Sequence, residues 1–311
     1  MTTGTGPVVR KSAVAAVFLL SLLWALDGLG PDLLPALRHS QMPGMERQAI
    51  TYGLAALVAG GYAWKRHSQL PSLRSTIDWS GVGLLLFVAP ILLSMVAQSW
   101  VSQLERVAIF SLAPMFAVVL EPHLGTGYRG NNGGLIAALV AVAGALCIFP
   151  LDLPGIPVAG AAVLAVVLAA ASAAIGNCVA VRFAHCNSAG SLAWCAALAA
   201  GSAALAFAAA GGFTERAQWQ IAANVAELVW LVLIDMPAVL LLVWLLPQIS
   251  AARMTTRFIL APLLTVLLGI VLEQPGIAAR IVLGIILMAA GALWLLLASD
   301  EDADEGRIGI R

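Results

Sequence analysis

Two acidic residues stand inside long apolar runs of this 311-residue chain. Asp27 falls near the end of the first run, and Asp235 lies eight residues into a later one, two positions before Pro237. An ionisable side chain at the centre of a lipid-embedded helix costs about 2.5–3.5 kcal/mol on insertion scales, so each needs an offsetting role. One reading makes Asp27 a proton-carrying carboxylate or a contact for a cationic group. The other places it near the outer end of its helix, before Gly28, Gly30 and Pro31, where it reaches water. For Asp235 the Pro is informative, because a Pro inside a helix frees a carbonyl one turn earlier and bends the rod. Asp235 then either faces a cavity beside the opened turn, or serves locally by resolving the break or pairing with an Arg. Trp24 stands one turn before Asp27 on the same face. It is a candidate aromatic wall, with interfacial packing as the alternative. Gln98, at the end of the third run, either lines a cavity or has an interfacial role at the helix end.

Two arginines, Arg106 and Arg257, open apolar runs. Turned inward they would bind a carboxylate or phosphate, but Arg at a helix end ordinarily snorkels to the interface, and that is the expectation here. Glu121 and Glu273, at the far ends of the same runs, are read as facing headgroups or capping loops. The four histidines, His39, His67, His123 and His185, are scattered among loops without metal-ligand spacing. Cys147, Cys178, Cys186 and Cys195 form no Cys-x-x-Cys pair, and Cys in apolar runs packs as a small hydrophobe. No Ser/His/Asp set and no acid-rich metal motif is present, so neither an enzyme, a cofactor nor a metal is expected. Zero formal charge argues against a nucleic-acid partner, which calls for a basic stripe.

The elements that carry these residues follow from composition. The chain is 61% hydrophobic and 10% charged, with a mean hydropathy of +0.96. Soluble domains carry about 25% charged residues. Ten runs approach the roughly 20 apolar residues needed to span a bilayer. They cover 13–30, 48–64, 80–99, 106–123, 133–150, 157–181, 189–211, 227–246, 255–273 and 277–298. They are too long and continuous for barrel strands, so an all-α integral membrane bundle of ten transmembrane helices is expected. The first run follows Arg10-Lys11, but it holds Trp24 and Asp27 and lacks a small-residue cleavage site; it reads as a membrane helix rather than a signal peptide.

The sequence also repeats. Phe110-Ser111-Leu112-Ala113-Pro114 returns 148 residues later as Phe258-Ile259-Leu260-Ala261-Pro262. Each copy follows an earlier Pro, Pro90 or Pro237, at nearly equal spacing. This predicts an internal duplication. The halves are 1–152 and 153–299, joined at Asp152-Leu153-Pro154-Gly155, with 300–311 an acidic cytosolic tail. Five helices per half make the second half inverted, and this 5+5 inverted-topology repeat puts a substrate site near the midplane between halves. Alignment of the halves sets Asn177 opposite Asp27 as its neutral hydrogen-bond partner. Pro90, Pro114, Pro237 and Pro262 become symmetry-related hinges. Lys and Arg in the loops favour both termini on the cytoplasmic side of a cell inner (plasma) membrane. The Ala-rich stretch from Ala193 to Ala210 is a packing surface.

The two Pro-centred motifs, extended to Met115-Phe116 and Leu263-Leu264, resemble the EamA-type transporters of the drug/metabolite transporter superfamily. The closing helix, Val282 to Gly291, looks like the Gly-rich helix ending each repeat of that family, with a counterpart from Gly133 to Gly144. Where the family's first helix often carries Trp-Gly and then Asn, this chain has Trp24-Ala25-Leu26-Asp27. The resemblance implies a secondary transporter moving a small organic metabolite or drug by alternating access, with proton-coupled export the first expectation. A solute exchanger or uptake permease of the same fold, or a non-transporting scaffold subunit, is the alternative. Expected partners are the small-molecule substrate, membrane lipid and a proton.

Overall fold

The structure, a computed structural model, describes residues 6–35, 37, 42–66, 68–124, 132–151, 157–184, 189–214, 221–273 and 278–298. The expected joint at 152–155 and the acidic tail lie outside the described residues, as do Cys186, His39, His67 and His185. Among the described residues there are helices and turns and no strand. The rods in chain order are α1 (Gly6–Leu33), α2 (Gly44–Lys65), α3 (Leu73–Ala97), α4 (Gln103–Leu120), α5 (Asn132–Ile148), α6 (Pro157–Ala184), α7 (Ala189–Thr214), α8 (Asn224–Leu245), α9 (Ala251–Leu272) and α10 (Ala279–Ala298).

Eight of these helices are long and apolar enough to cross a bilayer, so this is an all-helical, multi-pass membrane chain. The two exceptions fall short of the ten expected for different reasons. α5 is apolar but shorter. α2 is long enough, but its first turns hold Glu46, Arg47, Gln48 and Thr51. Arg47, Gln48 and Thr51 prove to face inward.

Local sequence sets where the rods start. Ser102 and Glu105 form a reciprocal capping box at the start of α4, with Ser102 N–H donating to Glu105 Oε2 at 2.7 Å. Ser250 accepts from Arg253 N–H at the start of α9. These caps fix the axial positions of Arg106 and Arg257, one and seven residues after the capping motifs.

α3 and α8 each contain one wide turn, at Leu84–Val88 and Leu231–Asp235. There Ala89 N–H reaches Leu84 O and Met236 N–H reaches Leu231 O, a five-residue step. Each wide turn stands just before a Pro, Pro90 or Pro237. A Pro in a helix has no N–H to donate, and its ring collides with the carbonyl four residues back; the extra residue relieves both. The swelling at α3 needs a thin neighbour. A Cβ on Gly176 of α6 would lie 2.8 Å from Leu86 Cα.

The two Phe-x-Leu-Ala-Pro copies differ locally. The first is broken, with turns at Ser111-Leu112 between Gln103–Phe110 and Ala113–Leu120. The second runs as unbroken helix through Pro262, within Arg257–Glu273, and its break falls earlier, at Thr256. A hydroxyl marks each break. Ser111 Oγ donates to Ala108 O, and Thr256 Oγ1 donates to Ala252 O at 3.1 Å. Such back-bonding loosens a helix. The single exchange between the copies, Ser111 for Ile259, therefore coincides with the difference in where the helix is interrupted.

Packing is dominated by two long pairs, α2 along α7 and α5 along α10. The Ala-rich face of α7 is buried at Ala196, Ala199, Ala200 and Ala203, the packing surface expected of it. At the second pair a Cβ on Gly144 would fall 2.6 Å from Met288 N, and one on Gly284 would fall 2.8 Å from Gly144 O. Small residues let these backbones touch. α6 packs on α3 and α4, and α1 on α8 and α9. These contacts leave a space ringed by α1, α2, α3, α4, α8 and α9.

Candidate functional site

That space is a cavity of about 520 Å³. α1 contributes Trp24 and Asp27, α2 Gln48, Thr51 and Tyr52, and α8 Asp235 and Val239. Pro90, Ser94 and Met95 of α3 face Arg106 and Phe110 of α4, and Arg257, Phe258 and Pro262 of α9 complete the lining. A volume in this range suits a small organic molecule.

The charged groups fall into two sets. In the first, Arg47 of α2 bridges to carboxylates on two other helices. Its Nη2 donates to Asp27 Oδ1 and, at 2.9 Å, to Asp235 Oδ2. Its Nε lies 3.6 Å from Glu227 Oε1. Trp230 Nε1 donates to Asp27 Oδ1 at 3.3 Å. One guanidinium thus serves three carboxylates, which leaves a formal surplus of negative charge. The set is semi-open: the Asp27 side chain is 34% exposed and that of Asp235 12%.

The second set centres on Arg257, which is 1% exposed. Its Nη1 donates to Asn177 Oδ1 at 2.9 Å and to Met254 O at 3.2 Å. Its guanidinium carbon lies 4.9 Å from the Trp24 ring centre and 4.7 Å from that of Phe258. Asn177 is itself held by donation from Nδ2 to Ala173 O at 2.6 Å. Arg106 is the other lining cation, with Nη1 donating to Ser94 O at 3.3 Å. Among the described residues neither Arg106 nor Arg257 has a carboxylate in salt-bridge contact.

Six buried side-chain polar atoms among the described residues have no hydrogen-bond partner. Four belong to lining residues: Thr51 Oγ1, Ser94 Oγ, Arg106 Nε and Arg257 Nε. The other two, Arg47 Nε and Glu227 Oε2, belong to the acidic cluster. Interiors ordinarily satisfy such groups, so their concentration at one cavity marks a place built for polar contact.

The expected site residues are distributed unevenly over this geometry. Trp24, Asp27 and Asp235 line the cavity, as do Pro90 and Pro262; Pro114 and Pro237 do not. Asn177 does not pair with Asp27. It binds Arg257, because the side chain's direction around α6 turns it toward α9. Gln98 is exposed in the turn after α3 and does not line the cavity. The interfacial expectation for Arg106 and Arg257 is overturned, since both line the interior. Glu121 does not face headgroups. It is buried and accepts from the amides of Ala251 at 2.8 Å and Ala252 at 3.2 Å, capping α9 from the end of α4. The Glu273 side chain lies outside the described residues. Reasoning from sequence missed Arg47 and Glu227. Pro43 before α2, with Glu46 in its first turn, was the available sign that the helix begins early enough to contain Arg47.

No family model and no curated protein matches the chain. Solved structures do match. One, described only as the crystal structure of a protein, superposes with a TM-score of 0.74 at 18% identity, covering 92% of this chain and 99% of its own. At that identity the likeness shows a shared fold and nothing about chemistry.

Proposed function

We propose that this chain is a secondary carrier that moves a small organic metabolite or drug across the cell inner membrane by alternating access. The observation that carries the reading is a ligand-sized cavity, lined by ionisable groups, among helices of membrane-spanning length. A scaffold subunit has no use for charges held there at the cost of burial.

In this reading all ten rods span, as two inverted five-helix repeats. Supporting it are the wide turns beside Pro90 and Pro237, separated by nearly the same interval as the Phe-x-Leu-Ala-Pro copies. The exchange of contacts supports it too: α6 lies on α3 and α4, while α1 lies on α8 and α9. Both termini are cytoplasmic, and the resemblance to EamA-type carriers enters as a proposal on the same footing. Asp27 and Asp235, sharing Arg47 with Glu227, are the groups that would carry a coupling proton during export. Exchange or uptake by the same architecture is the second reading, favoured if the acids prove irrelevant to coupling.

The test is flux of a mixed pool of small organic acids, amines and amides through proteoliposomes, with and without an imposed pH gradient. The wild-type protein should show gradient-driven flux, and Asp27→Asn or Asp235→Asn should uncouple it. Unchanged coupling in both variants would remove the carboxylates from the mechanism. Flux no greater than in protein-free liposomes would favour the scaffold.

A further inference from the structure

The carrier proposal leaves the substrate open, and the two charged sets treat it differently. Arg47 is ion-paired with three acids from the protein itself. Arg257 is more deeply buried yet, among the described residues, has no acid in salt-bridge contact. A buried guanidinium without a carboxylate is costly unless something stabilises its charge. Here two carbonyl oxygens and two aromatic rings do part of this. They engage Nη1 and lie against the guanidinium, and they leave Nε, itself buried, without a partner. The Nε edge of a guanidinium is one of its two-donor forks, whose spacing matches the two oxygens of a carboxylate. A second cation, Arg106, faces the same cavity, and its Nε also lacks a partner.

We propose that the Arg257 end of the cavity binds the carboxylate of a small organic acid whose flat apolar body lies against Trp24, Phe110 and Phe258. Trp24, Phe110 and Phe258 form a continuous aromatic wall, with ring centres 6.0 Å apart between Trp24 and Phe258 and 5.6 Å between Phe110 and Phe258. The wall begins at the guanidinium, so an anion seated on the Nε edge is led onto the rings. Met95 and Val107 extend the apolar surface, while Ser94 and Thr51 offer neutral polar contacts. A compact inorganic anion would leave this apolar wall uncovered. An organic cation lying against the same rings would be repelled by Arg106 and Arg257, which line that part of the cavity.

The biological use of this site rests on the carrier reading, but its existence does not. Calorimetric titration of the purified full chain with phenylpropanoate, phenylpropanamide, phenylpropylamine and inorganic phosphate tests it. The acid should bind at least ten-fold more tightly than each of the others. Arg257→Lys keeps the charge and loses the fork, and should weaken the acid at least ten-fold. Arg106→Gln should weaken it several-fold and serves as the second probe if Arg257→Lys does not fold, while Gln98→Ala should leave it unchanged. Equal binding of amide and acid, or tighter binding of amine or phosphate, would overturn the proposal. So would full acid affinity in a folded Arg257→Lys protein. Acid binding without flux in proteoliposomes would strike the carrier reading and leave the site; flux of amine or amide without acid binding would do the reverse.

Discussion

Arg47 and Arg257 are both drawn into the interior, and they are stabilised in opposite ways. Arg47 sits in the polar opening turns of α2, within reach of three carboxylates from α1 and α8. Arg257 sits beyond Trp24, one turn of α1 further in, held by carbonyls and rings. The first arrangement links helices; the second leaves a cation with capacity to spare. Trp24 and Asp27 are three residues apart on one helix face, so a single face of α1 serves both. The difference teaches that burial and pairing answer separate questions. A charge bridged to acids ties helices together, and one without an acid is available to a ligand.

The largest way to break the comparison is to remove Arg47. Arg47→Ala leaves Asp27, Asp235 and Glu227 facing one another without a counter-charge. Breaking a buried pair costs about 3–5 kcal/mol, and this half-open cluster should lie at the low end of that range in detergent unfolding. Asn177→Leu comes next, because it strips Arg257 of its side-chain acceptor. A hydrogen bond to a charged group is worth about 1.5–3 kcal/mol, so a similar loss of stability is expected, together with weaker acid binding. Trp24→Leu removes one ring beneath the guanidinium and should cost about 1–2 kcal/mol in thermal unfolding. The smallest effect sharpens the contrast without mutation. Raising salt shortens the screening length to about 3 Å at 1 M, which weakens semi-open ion pairs but reaches buried ones little. Stability should fall slightly in the wild type, and by less in Asp27→Asn, whose cluster has less charge to screen.

Much of the architecture was legible because lipid imposes a simple rule on composition. The long apolar runs became helices, and the runs holding Pro90 and Pro237 became the ones with a wide turn. Asp27, Asp235 and Trp24 were singled out because charge and aromatic rings are conspicuous against an apolar background. Arg47 was hidden for the converse reason. It stands in a polar stretch, where a charge is unremarkable, and only the packing of α2 against α8 brings it to the acids. The pairing of Asp27 with Asn177 failed because sequence registers fix positions along a helix, whereas hydrogen bonds depend on rotation about it. Arg257 was assigned to the interface by the habit of arginines at helix ends. The assignment missed that its helix does not start there: Ser250 begins it seven residues earlier, and Arg257 is carried inward.

The carboxylate of Glu121 has a consequence for motion. It grips the first two amides of α9 from the last turn of α4, in a setting with little water to replace them. Sliding one helix end past the other would strand both a carboxylate and two N–H groups. The foot of α9 and the tail of α4 must therefore travel as one piece, and any parting of the bundle has to run along some other seam.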